Sequence, residues 1–336
     1  MAGRIRAGVA GATGAVGGEI VALLGRPGSP VSEIVPMASM DSEVHQVVFA
    51  GGNVTVQNLH AEALERCDVV FFAVPRTVAA AHLAEALDAG VAVIDLSGAL
   101  GPQVPRVVAS VNRVDLERFD ETRAVACPSA AVTLVATLLH PLSVQVRRLS
   151  VRGLLLQPAS VRGRAGIREL SQQVVSLFNS REPEQRVFPQ GLAFDVAPIL
   201  GTPGPTGWSD IEVATSQEVA ALLGLDASDV AITQIVAPWF NGLCLALHGV
   251  MDPPLGIDRV ADLLSSAPDV HLSRNSEDVP RPRGSDGRLG VHVGRLRADP
   301  AGEGFHLWAA ADALRWGAAG NAVAVMEALL EDGRIG

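Results

Sequence analysis

The chain contains no tyrosine and no lysine; all 26 of its basic residues are arginine. Three kinds of chemistry go with those two residues. There is no lysine to form a Schiff base, none to hold phosphates in a P-loop, and no Tyr–Lys proton relay of the short-chain dehydrogenase kind. Arginine does not replace them in proton transfer, because its guanidinium does not deprotonate in proteins. Cysteine is scarce as well: Cys67, Cys127 and Cys244 are far apart, with no CxxC pair and no disulfide framework, which suits a reducing cytoplasm. A net charge of −10 gives no basic footprint for nucleic acid or an anionic membrane. No run of ~20 apolar residues predicts a membrane span, and the glycine-rich start lacks the apolar core of a signal peptide.

What is present is apolar and long. The 336 residues are 48% hydrophobic, more than one ordinary core accommodates, and two domains of about 150 residues each are expected. Residues 4–10 read as a buried strand, followed by GATGAVGGEIVALLG, a tight turn opening a helix. Further strands are expected at 33–38, 69–74, 91–96 and 122–126, with a helix at 78–89 between two of them. Strands alternating with helices predict a doubly wound parallel sheet over residues 1–128. In the second half, 147–157 and 230–250 read as long strands on either side of a helix at 166–178. Residues 188–207 are rich in proline and glycine, and two more strands fall at 291–296 and 304–311. The polar stretch 271–286 reads as a mobile surface loop. A closing helix at 314–332 is expected to return to the first domain, leaving 129–313 as an α+β domain.

Gly11, Gly14 and Gly17 form a G-x-x-G-x-x-G turn between strand and helix. Glycine there permits a sharp turn, close approach of a pyrophosphate to backbone N–H groups, and tight helix–strand packing. Thr13, Ala15 and Val16 complete the candidate phosphate loop. The second strand ends in MASMDSEV, where Ser39 and Asp41 stand at the place that reads the adenosine ribose. A carboxylate at Asp41 accepts hydrogen bonds from a free 2′-OH and repels a 2′-phosphate, so NAD is expected over NADP. As a solvated loop acid Asp41 would read nothing.

The motifs GATGAVG, MASMDS, FFAVP, VIDLSGALG, VPRVVASVN, FPQGLAFDVAP, VHVGRLR and DALRWGAAGNAV occur in this order along the chain. Together they resemble the aspartate-β-semialdehyde dehydrogenase family nearly end to end, and most of all its Usg-type branch. The resemblance implies an N-terminal Rossmann-like domain for NADP, a C-terminal α+β dimerisation domain, and reduction of an acyl phosphate through a cysteine thioester. It also implies a histidine acid/base and arginines for the substrate's carboxylate and phosphate. The family's N-P-N-C motif, aligned through the shared proline and helix, places Cys127 at its first asparagine, Ser129 at its second and Ala130 at the nucleophile. Cys127 therefore stands three residues early, displaced by up to ~10 Å, where near-attack contact needs ~3–3.5 Å. It reads as a buried packing residue, and Ser129 as a helix N-cap.

The family's R-x-P…H run falls on 236–243, so Val236 replaces the carboxylate-binding arginine and Leu243 the catalytic histidine. On a continuous strand His248 would lie on the opposite face from Leu243, ~16 Å away, and it reads as a satisfied strand histidine. Gly101 replaces the phosphate-binding arginine, and Ala214 replaces the lysine of the family's E-x-K, whose glutamate is Glu212. Ser97, Gln157 and Asn321 survive. In the enzymes the glutamine at the place of Gln157 helps orient substrate; here it is expected to satisfy backbone groups. Asn321 either bonds the nicotinamide carboxamide or caps the last helix. Arg162 and Arg164 enter the loop that is S-G-A-G in the family, as solvated loop residues or a new anion site.

Nucleophile, acid/base and both anion anchors are thus replaced together, by apolar or small residues. The expected protein is a non-catalytic homodimer able to bind NAD, with no metal. The alternatives are an active oxidoreductase of the semialdehyde dehydrogenase type on an aldehyde or acyl phosphate with NAD(P), or on an apolar substrate, and a regulatory subunit of a true dehydrogenase.

Overall fold

The computed structural model describes residues 5–39, 42, 44–275, 277–300 and 302–336. They fall into two units, Met1–Ser129 with Ala318–Gly336, and Ala130–Gly317.

In the first unit, short and wholly buried apolar runs become the inner strands of a parallel sheet, because helices cover both faces. The chain runs β1 (Ile5–Ala10), α1 (Ala15–Leu24), β2 (Val31–Ala38), β3 (Gln46–Phe49), β4 (Gly52–Thr55), β5 (Gln57–Asn58), α2 (Ala61–Leu64) and β6 (Val69–Phe72). It continues through α3 (Arg76–Asp88), β7 (Ala92–Asp95), α4 (Phe119–Thr122) and β8 (Ala124–Ala126). The sheet order is β5-β2-β1-β6-β7-β8, every pairing parallel. The winding reverses beside β1, so the topological switch point lies at the carboxyl end of that strand, where the glycine turn begins. The hairpin β3–β4 and the short edge strand β5 were not expected, since their residues alternate weakly and lie largely exposed.

The second unit opens with α5 (Ala130–Ser143), β9 (Arg148–Gln157), α6 (Gly163–Phe178), α7 (Asp210–Leu223) and β10 (Val230–Val236). Then come β11 (Leu243–Asp252), α8 (Ile257–Ser266), β12 (Val270–Leu272), α9 (Pro282–Ser285), β13 (Val291–Ala298) and β14 (Gly304–Ala311). The mixed sheet has the order β10-β9-β11-β14-β13-β12. Leu149, Val151, Leu155, Leu245, Leu247, Phe305 and Leu307 alternate onto one face and pack with α5, α7 and α8 into one core.

Three expectations need correction. The run 230–250 is two strands: β10 is parallel to β9 on one side, and β11 antiparallel to it on the other. Pro238 has no N–H for a ladder, and Gly242 takes φ +90°, so the chain turns between them. The polar stretch 271–286 is not loop throughout. It ends β12 and holds α9, and the Pro280 carbonyl accepts from Trp308 Nε1 at 2.7 Å, fastening the stretch to β14. The closing helix begins as a π-helix, Ala313–Gly320, before α10 (Asn321–Glu331). Asp312 causes this: its carboxylate accepts from the Leu314 and Arg315 amides, and its carbonyl accepts from Gly317 N five residues on. Among the described residues, no helix is long and apolar enough to cross a membrane.

Candidate functional site

The glycine turn closes on backbone alone. Gly11 has φ +87°, and a Cβ there would stand 2.3 Å from the Ala73 carbonyl oxygen; one at Gly17 would stand 2.0 Å from that of Gly11. Neither position admits a side chain. Gly14 donates its N–H to Gly11 O at 2.8 Å and is the N-cap of α1, with no side chain to cap the helix. The first-turn amides at Ala15 and Val16 therefore face no competing cap oxygen, and the first turn carries no acid. A helix start of this form, at the switch point of a parallel sheet, fits a pyrophosphate. Thr13 Oγ1 accepts from Ser42 Oγ at 3.2 Å, and Ser39 is exposed at the end of β2. Asp41 lies outside the described residues.

Ser97 and Asn321 have internal partners. Ser97 Oγ donates to Asp95 Oδ1 at 2.5 Å and accepts from Ala99 N, shaping the turn after β7. Both ends of the Asn321 amide are committed: Nδ2 donates to Val107 O and Oδ1 accepts from Ala109 N, each at 2.9 Å. Its side chain thus neither caps the last helix nor stands free for a carboxamide. It stitches α10 to the 107–109 loop, a long-range bond that sequence does not reveal.

Cys127 follows β8, donates its amide to Asp95 O at 2.7 Å, and is 5% exposed in the core beneath α1 and α10. Burial, and then the Asp95 charge, push its thiol well above the ordinary cysteine range. A thiol so protonated is a poor nucleophile. Gly101 lies in the same unit, half-buried against the Gln103 side chain.

In the second unit, Ala130 is the first residue of α5, and a Cβ on Gly317 would stand 2.7 Å from its own Cβ. Leu243, at the start of β11, is 0% exposed in the main core, while His248 on the same unbroken strand faces the other way. Val236, at the end of β10, is 1% exposed. Gln157 does not satisfy backbone as expected. Its Nε2 donates to Gln234 Oε1 at 2.8 Å, Gln234 Nε2 donates on to Thr215 Oγ1 at 2.8 Å, and Gln234 N donates to Glu212 Oε1. Glu212 also closes a capping box with Ser209 at the start of α7. The S-x-x-E spacing, which directly follows the proline-rich stretch, is the sequence signal for that box and for α7 with it. Ala214, Arg162 and Arg164 are exposed.

Beside Val236 a cavity of about 190 Å³ is lined by Val187, Phe188, Ala197, Pro198 and Leu200, with Arg162 among its walls. Its wall at Val187 and Phe188 hangs on one buried carboxylate. Glu169 accepts from the amides of Arg186, Val187 and Phe188 at 3.0, 2.6 and 2.8 Å. The lining is mainly apolar, with Arg162 and Gln190 as its polar members.

The order of elements and the glycine turn at the switch point define the class. Residues 6–119 match the semialdehyde dehydrogenase NAD binding domain, and residues 139–316 its dimerisation domain. The chain belongs to the semialdehyde dehydrogenase family, as its motifs implied. A USG-1 protein homolog from Azotobacter vinelandii is 34% identical over 332 residues, covering 97% of this chain and 98% of the relative. Aspartate-semialdehyde dehydrogenase 2 from Vibrio cholerae is 30% identical, with 99% of each chain covered. The crystal structure of aspartate semialdehyde dehydrogenase II complexed with ASA from Vibrio cholerae has a TM-score of 0.93 at 30% identity, covering 98% of this chain and 99% of that one.

Proposed function

We propose that this chain is a non-catalytic member of the semialdehyde dehydrogenase family that binds NAD and acts as a homodimer. One observation carries the reading: Leu243 and Val236, at the places of the acid/base and the carboxylate anchor, are packed into cores at 0% and 1% exposure. A single anion–arginine contact contributes about 1.5–3 kcal/mol. Losing two weakens a doubly anionic substrate by roughly 150- to 20,000-fold, before the missing thioester chemistry at Ala130 is considered. NAD is favoured over NADP by the acidic Asp41, which follows the second strand in the sequence.

The dimer reading draws on the family's dimerisation domain and on an exposed apolar cluster. Phe178 and Phe194, 77% and 70% exposed, meet edge to face at 5.9 Å between ring centroids, and Val196 and Ile199 are exposed nearby in sequence. Phe178→Asp together with Phe194→Asp is expected to convert the dimer into a monomer in light scattering. Native mass spectrometry with a true dehydrogenase separates the homodimer from a regulatory heterodimer.

The decisive assay supplies aspartyl phosphate with NADH or NADPH, and the reverse pair of aspartate semialdehyde and phosphate. No turnover is expected, while NAD raises the melting temperature. Turnover at an ordinary enzymatic rate that stops in Cys127→Ser would overturn the reading. The mainly apolar lining of the cavity beside Val236 supports a second one, an oxidoreductase for an apolar carbonyl, with Arg162 as the polar group at its wall. Under that reading, medium-chain aldehydes consume NAD; under the first they do not.

A further inference from the structure

We propose that His248, Asp299 and His306 form a binding site for a divalent transition metal ion, Zn²⁺ being the natural probe. The three residues come from β11, the turn between β13 and β14, and β14, on the sheet face opposite the helices. They are 51 and 7 residues apart, which is why no ligand spacing in the sequence announces them.

The geometry is that of a partly assembled tetrahedron. A metal with ~2.0–2.1 Å bonds to its ligands in a tetrahedral site places neighbouring ligand atoms ~3.3 Å apart. Asp299 Oδ2 lies 3.2 Å from His248 Nε2 and 2.9 Å from His306 Nε2, and the three donor atoms all fall within 4.8 Å of one another. The two imidazoles stack with centroids 4.4 Å apart and planes 26° apart, so both Nε2 atoms converge on the same carboxylate oxygen. Two imidazoles and one carboxylate make a donor set suited to zinc, nickel or ferrous iron, with a fourth corner left for water or a ligand.

A second observation is independent of the spacing. The Asp299 carboxylate satisfies His306 with a hydrogen bond, whereas His248 Nε2 is withheld from solvent with no hydrogen-bond partner, its 3.2 Å contact to Oδ2 being poorly aligned. A buried imidazole nitrogen left that way costs free energy, and a shared cation is the ligand that uses both nitrogens and the carboxylate at once. The residue is therefore not the satisfied strand histidine that the sequence predicts. Side-chain exposures of 34%, 30% and 19% leave the site an entry path. Two cations border it in the register, Arg152 opposite His248 and Arg297 opposite His306. Arg152 donates to the Val151 and Asp229 carbonyls and Arg297 to that of Arg295. Their charge tempers the affinity without occupying the donors. A bound ion would clip the β13–β14 turn to β11.

The test uses untagged protein stripped with a chelator and dialysed. Zn²⁺ is titrated by calorimetry, and Co²⁺ by the visible absorption that tetrahedral coordination gives it. One ion per chain is expected, with a rise in melting temperature. His306→Ala, His248→Gln and the near-isosteric Asp299→Asn should each weaken binding by roughly 100-fold or more, with far-UV circular dichroism unchanged. His292→Ala, in the second stacked histidine pair (His271 and His292, centroids 4.9 Å apart), should leave it intact. Absence of saturable binding to the wild-type chain overturns the proposal. So does binding that survives in His306→Ala, or that disappears in His292→Ala.

Discussion

The two units keep different things. In the first, the candidate site is made of backbone: three glycines at which a Cβ would stand only 2–3 Å from a carbonyl oxygen, and a helix start without a capping side chain. In the second, Ala130, Val236 and Leu243, which the resemblance aligns with the family's side-chain chemistry, are apolar, and the last two are sealed in cores. A backbone site changes only if the fold changes, because the same glycines hold strand, turn and helix together. A side-chain site is more easily replaced, since an apolar residue in a catalytic position gains burial and loses only chemistry.

The sharpest way to break that comparison is Gly17→Ala. Its methyl would need to displace the Gly11 carbonyl, so a loss of about 3–4 kcal/mol in urea denaturation is expected, and the thermal shift with NAD should vanish. A neutral outcome would mean the turn is not the rigid element described. Glu169→Ala comes next. The amides of Arg186, Val187 and Phe188 lose their acceptor, and about 2–4 kcal/mol should disappear, read from the same denaturation curves. Leu243→His probes the proposed loss of the acid/base directly. Burying an imidazole where leucine packs should cost about 2–3 kcal/mol and confer no turnover; measurable reduction of an acyl phosphate by this variant would show that the second unit had kept its chemistry.

Thiol titration gives a smaller but sharper reading. Burial pushes Cys67 and Cys244 up to about 12 and raises Cys127 too, so a disulfide reagent at pH 8 should find no reactive thiol until urea unfolds the chain. A fast-reacting Cys127 would count against the packing role. The smallest effect is at the acid end. The Arg148 guanidinium holds Asp229 below its ordinary 3.8, so the folded protein binds fewer protons than the unfolded chain. That stabilisation is complete above the ordinary value and fades as pH falls through the folded one. Arg148→Met should flatten the decline in melting temperature below about pH 4, modestly, because the arginine is largely exposed.

Much of the fold was legible because apolar periodicity and punctuation agreed. The strands ending at Ala10, Ala38 and Ala126 and the helix of residues 76–88 fall within a few residues of expectation. Where it failed, a local signal was overruled or hidden. The run 230–250 has continuous strand chemistry, yet Pro238 and Gly242 divide it so that its halves flank β9. The helix α7 was announced only by Ser209 and Glu212, behind a stretch whose proline content suggested loop. The partners of Gln157 and Asn321 lie 77 and more than 200 residues away, and no local pattern records them.

The sequence by itself determined the family, the two kinds of sheet, the glycine turn, and the identity of the side chains standing at Ala130, Val236 and Leu243. These are local or one-dimensional properties: a spacing, a period, or the presence of a residue type. Only tertiary structure decided that Asn321 ties a loop, that Gln157 belongs to a chain of amides, and that His248 and His306 meet over Asp299. Each depends on strands and turns distant in sequence being brought within hydrogen-bonding distance, and that proximity is set by the packing of whole sheets.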